Sequence, residues 1–93
     1  MIFDLLRDLE ILLSDISFSG INNIDYSTIE KIEILEKKFE KISMENIKNL
    51  LTEFINSIKQ YKTSEDKKIN IKEVSNNIAK LEFYIRNALS YEK

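Results

Sequence analysis

The sequence predicts an all-α protein, a small antiparallel four-helix bundle, and three observations carry that expectation. Its 93 residues contain no Pro and a single Gly, at position 20, so little stands in the way of long helices. Apolar residues recur three and four apart in four separate stretches, at about 2–18, 28–41, 44–62 and 71–91. No stretch alternates apolar and polar residues as a half-buried strand does, and the connections are short enough for neighbouring helices to run antiparallel.

The first helix carries Ile2, Leu5, Leu6, Leu9, Leu12, Leu13 and Ile16 at helical spacing. Phe3, Ile11 and Phe18 fall outside that stripe and make the apolar arc unusually wide. Gly20 stands where a left-handed C-terminal residue is wanted, with Ile21 placed to close back onto Ile16 in a Schellman ending. After the polar Asn22, Asn23 and Asp25, the run Ser27-Thr28-Ile29-Glu30 reads as a capping box. It opens a helix with Ile29, Ile32, Leu35, Phe39 and Ile42 inward.

Ser43 interrupts the pattern, because the apolar stripe shifts phase there. As an N-cap it would let Ile42 staple onto Ile47, starting a third helix with Ile47, Leu50, Leu51, Phe54, Ile55, Ile58 and Tyr61 on one face. A single helix from 28 to 62 is the alternative. Residues 63–69 read as a polar loop, and Asn70 with Glu73 repeats the capping-box logic, with Ile69 and Val74 as its staple. The last helix turns Ile71, Val74, Ile78, Leu81, Ile85, Ala88 and Leu89 to the core and leaves Phe83 and Tyr84 off that line.

Length and composition bound the rest. A chain of this size makes one domain, 1–93, burying about 65% of its unfolded surface. That supports one modest core and no deep substrate cavity. The apolar share of 43% and charged share of 32% are those of a globular chain. The excess of Ile, Lys and Asn points to AT-rich coding, hence to a bacterium or a mobile element. Without Cys there are no disulfides, which suits a reducing cytosol. The first residues carry acids where a secretory leader needs bases, and no apolar run approaches the roughly 18 residues of a membrane span. A cytoplasmic protein without membrane contact is expected.

The same composition narrows the chemistry. Without His or Cys, the commonest acid–base, nucleophilic and zinc-binding constellations are closed. The serines have no histidine base, and one Gly cannot form a phosphate-cradling loop. Glu30, Glu33, Glu36 and Glu40 form an acidic series on the second helix, but bundle metal sites add His from a Glu-x-x-His spacing. Interspersed Lys makes this series read as a solvated face. No catalytic residue, metal or cofactor is expected, and the chain does not read as an enzyme.

Two surface features remain as candidate sites. Lys59, Lys62, Lys67, Lys68 and Lys72, with Tyr61 nearby, form a candidate basic patch. Residues 1–58 hold six basic and eleven acidic groups, a net of −5, and residues 59–93 hold eight and five, a net of +3. The whole therefore lacks the strong positive field that drives phosphate-backbone binding, and nucleic acid is disfavoured as the main partner. The second feature is the wide apolar arc of the first helix, which is either central to its own bundle or covered by another chain. Phe3, Ile11 and Phe18, together with Phe83, Tyr84 and Tyr91, are its candidate partner-interface residues.

The run Leu6-Arg7-Asp8-Leu9, then Leu12-Leu13, Ser19-Gly20-Ile21, Thr28-Ile29 and Leu35, resembles a small helical accessory domain. That domain occurs in bacterial proteins encoded beside SWIM zinc-finger, MoxR-type AAA ATPase and von Willebrand A-type proteins. The resemblance implies a protein-interaction component of an ATPase-linked system and supplies no catalytic residues. The leading expectation is thus a non-catalytic module that binds another protein, itself included. The alternatives are a mobile-element inhibitor of a host defence complex and a weak nucleic-acid-binding module using the 59–72 lysines.

Overall fold

The computed structural model describes residues 2–65 and 67–91, with side chains described for 2–65 and 70–91. Four helices follow one another: α1 Ile2–Ser19, α2 Tyr26–Lys41, α3 Glu45–Thr63 and α4 Lys67–Leu89, with a 3-10 turn at Ile21–Asn23. No strand occurs among the described residues. The helices pack as a four-helix bundle 44 Å long and about 20 Å across. Contacts between α2 and α3 set their antiparallel register: Glu40 meets Lys48, Glu36 meets Thr52 and Glu33 meets Lys59. Short connections impose the same sense on the other neighbours.

The core is the set that helical spacing selects. Leu6, Leu9, Leu13, Ile32, Phe39, Ile47, Leu51, Phe54, Ile58, Leu81 and Ile85 are almost wholly enclosed. Packing is most extensive between α3 and its neighbours α4 and α2, whereas α1 rests chiefly on α4 and less on α2. The wide apolar arc of α1 is therefore not explained by a central position. Ile71 and Ile2, assigned inward by their spacing, are exposed instead, each near the first turns of its helix. Ile24, in the loop after α1, is buried and plugs that end of the core.

One buried polar pair crosses from α4 to α3. The Asn77 amide donates to Ser57 Oγ at 3.1 Å and to the Glu53 carbonyl at 3.5 Å. Ser57 Oγ in turn donates to the Phe54 carbonyl at 2.7 Å. Satisfying both groups fixes how α4 slides along α3, since a shifted register would bury the amide unpaired.

The helix ends depart from expectation in instructive ways. Gly20 does end α1, but with φ 95° and ψ 149°, a region open essentially to Gly alone, rather than as a left-handed residue. Its N–H keeps the helical bond to Ile16 O at 2.8 Å, so no Schellman ending forms there. The cap of α2 is Asp25, not Ser27: its carboxylate accepts from Thr28 N–H at 2.9 Å and from the Ser27 and Thr28 hydroxyls. These donors hold the Asp25 carboxyl below its ordinary 3.8, at about 2, with the Thr28 backbone bond the largest cause. The helix thus begins two residues before the expected start at 28.

The break near Ser43 is present, and a single helix from 28 to 62 is not formed. Its mechanism is a Schellman ending of α2 rather than a cap of α3. Ser43 takes φ 62°, its N–H bonds Glu40 O, and Met44 N–H bonds Phe39 O, both at 3.0 Å. Met44 occupies the cap position of α3 and provides no side-chain bond. The expected polar loop at 63–69 is shorter than its composition suggests, because Thr63 ends α3 and α4 is already helical at Lys67. Asn70 therefore lies inside α4 and does not cap it, and α4 runs 67–89 instead of 71–91. Strings of Lys, Glu and Asn have adequate helix propensity once packing begins at Val74.

Candidate apolar groove between α1 and α4

The up-and-down course brings the start of α1, the α2–α3 turn and the end of α4 to one end of the bundle. There they border an open groove of about 610 Å³. Ile2, Phe3 and Leu6 come from α1, and Met44 and Leu50 from the start of α3 and its cap. Helix α4 supplies Lys80, Phe83, Tyr84, Asn87 and Ala88, with Tyr91 just beyond its end. Positions 80, 83, 84, 87, 88 and 91 share one helix face, a second stripe beside the core stripe at 74, 78, 81 and 85. Phe83 and Tyr84 leave the core line because they belong to this one.

Four of the six candidate interface residues meet here: Phe3, Phe83, Tyr84 and Tyr91. Phe83 is 69% and Tyr91 82% exposed, while Phe3 and Tyr84 are half-buried against the core. Among the described residues, Lys80 is the charged side chain on the groove wall. Such a surface can take apolar side chains out of water, with the aromatic rings as anchors.

The other two candidates lie elsewhere. Ile11, 61% exposed, faces a shallow cleft between α1 and α2 with Leu12, Ile34 and Leu35, bordered by Asp8, Asp15 and Lys31. Phe18 is 95% exposed near the far end of α1. The groove residues that sequence reasoning missed are Ile2, Leu6, Leu50 and Ala88, all assigned to the core, and Met44, Lys80 and Asn87. The spacing of Lys80 and Asn87 from Phe83 was the available signal.

Two of the five charged candidates are drawn into interhelical contacts. Lys59 pairs with Glu33 at 3.9 Å, and the Lys62 ammonium sits 5.2 Å from the centre of the Tyr26 ring. Lys72 is exposed, and the side chains of Lys67 and Lys68 lie outside the described residues. The acidic series of α2 is largely a clamp on α3, not a purely solvated face. Glu40 pairs with Lys48 at 3.5 Å, and Glu36 accepts from the Thr52 hydroxyl. Among the described residues no three carboxylates stand together as a metal site, and no helix is long and apolar enough to cross a membrane. Set against known proteins, the chain matches no family model, no curated protein and no solved structure.

Proposed function

We propose that this chain is a non-catalytic cytoplasmic module that binds another protein through the groove between α1 and α4. The convergence of Phe3, Phe83, Tyr84 and Tyr91 on one apolar groove is the observation that supports this reading. Exposed aromatic anchors around a concave apolar wall are what partner side chains bury most favourably. An accessory role in an ATPase-linked bacterial system, as the family resemblance implies, is the setting we propose for it. The contacts of Lys59 with Glu33 and Lys62 with Tyr26 favour this reading over nucleic-acid binding by the 59–72 lysines.

Phe83→Asp tests the proposal cleanly, because the ring is mostly solvent-exposed and its loss leaves the core intact. Capture from native lysate of the source cell, compared between wild type, Phe83→Asp and Phe18→Asp, is the measurement. A partner retained by wild type and Phe18→Asp but lost by Phe83→Asp is the expected result. Capture that is indifferent to Phe83→Asp, with helical circular dichroism preserved, would refute the groove as the binding surface.

A further inference from the structure

We infer that the α2–α3 turn is a hinge through which two copies of this chain exchange their α3–α4 halves. In the exchanged dimer α2 and α3 run on as one helix, and the partner is a second copy of the chain. Three independent features lead there. The first is backbone strain: Ser43 holds φ 62°, a conformation that crowds any residue with a Cβ and suits Gly. Short strained turns between packed elements favour exchange, because opening relieves the strain while every other contact is remade between chains.

The second feature is that no helix-breaking residue keeps the helix from continuing. Residues 21–93 contain neither Gly nor Pro, and Met44 contributes no side-chain cap to α3. Straightening would move Ser43 N–H from Glu40 O to Phe39 O and Met44 N–H from Phe39 O to Glu40 O, with no bond lost. It would also give helical partners to the first N–H groups of α3, which a helix start leaves without them. Tyr26 to Thr63 would then form a rod of roughly 57 Å, at 1.5 Å per residue.

The third feature is charge. The α1–α2 half, residues 1–42, holds nine acidic and five basic groups, a net of −4. Residues 43–93 hold seven acidic and nine basic groups, a net of +2. Opposite halves attract and like halves do not, so an opened chain closes on the complementary half of itself or of another copy. Glu33–Lys59, Glu36–Thr52 and Glu40–Lys48 are the contacts to be remade.

The test is to unfold wild type, Ser43→Gly and Ser43→Ala in denaturant and refold each at low and high protein concentration. Mass is then read by light scattering after size exclusion, and the dimer fraction is run again hours after dilution. Two hinges relax per dimer, so the dimerisation constants of Ser43→Ala and Ser43→Gly should differ on the order of a hundredfold, with wild type between them. The dimer should outlast dilution, because reversal needs unfolding, and should persist in a Phe83→Asp background, which separates it from association through the groove. Any of three results would overturn the inference: monomer throughout, equal dimerisation by Ser43→Gly and Ser43→Ala, or a dimer that dissolves at once or is abolished by Phe83→Asp.

Discussion

Replacing Asn77 asks most directly what the buried polar contact between α3 and α4 contributes. The side chain is buried, donating to Ser57 Oγ and the Glu53 carbonyl. In Asn77→Ala both bonds go, yet Ser57 still donates to Phe54 O, so no buried donor is orphaned. One good hydrogen bond, one long one and a small void together predict a loss of about 2 kcal/mol. Asn77→Asp is harsher. Its carboxylate would face a carbonyl oxygen and a hydroxyl whose proton is already committed, for a cost of about 3 kcal/mol at neutral pH.

The two variants also separate by pH. Burial without donors raises the folded-state pKa of the introduced carboxyl above its unfolded value, so the folded state binds the proton more tightly. The deficit of Asn77→Asp is then full above the folded pKa and shrinks as pH falls toward the unfolded value, near 4. Asn77→Ala lacks that dependence. Urea denaturation followed by circular dichroism at 222 nm, at pH 7 and pH 4.5, measures both. If Asn77→Asp is as stable as wild type at pH 7, or its deficit relative to Asn77→Ala does not narrow at pH 4.5, the amide is not buried against Ser57.

Other perturbations give equally definite outcomes. Phe54→Ala, at one of the largest enclosed side chains, should lose about 3–5 kcal/mol in the same urea assay. Gly20→Ala should destabilise by about 1–3 kcal/mol through backbone strain alone, since an added Cβ would meet only Asn23 Nδ2 at 3.8 Å. A fall as large in a variant with a bulkier side chain there would show that strain, not space, sets the cost. Asp25→Ala should lower the melting temperature at pH 7. The depressed folded pKa makes the cap's contribution present above about 3.8 and lost as pH falls through about 2, so wild type and variant should converge there in thermal scans.

Helix identity was legible from the chain because it rests on local spacing. Leu6, Leu9 and Leu13, or Phe54 and Ile58, can face one neighbour only if the backbone is helical, and no glycine or proline argues otherwise. The interruption at Ser43 was legible for the same reason, as a phase shift in the apolar stripe. The choice between Asp25 and Ser27 as cap was not, because both carry an oxygen at workable spacing, and in the structure it is Asp25 that accepts from Thr28 N–H. The early start of α4 was hidden too: the stretch after Thr63 has no apolar period, and the seating of Val74 against the core, not composition, sets where the helix can begin.

Function shows the same division. The absence of His and Cys, the two faces of α4 and the exposed apolar excess on α1 belong to the sequence, since they follow from residue types and a 3.6-residue period. Which exposed residues act together belongs to the tertiary structure. Phe3 and Phe83 lie 80 positions apart in the chain and meet only because α1 and α4 run antiparallel at the same end of the bundle. Ile11 and Phe18, on the same helix as Phe3, are turned or carried away from that groove. Helical periodicity assigns a residue to a face; only packing decides which two faces border one space.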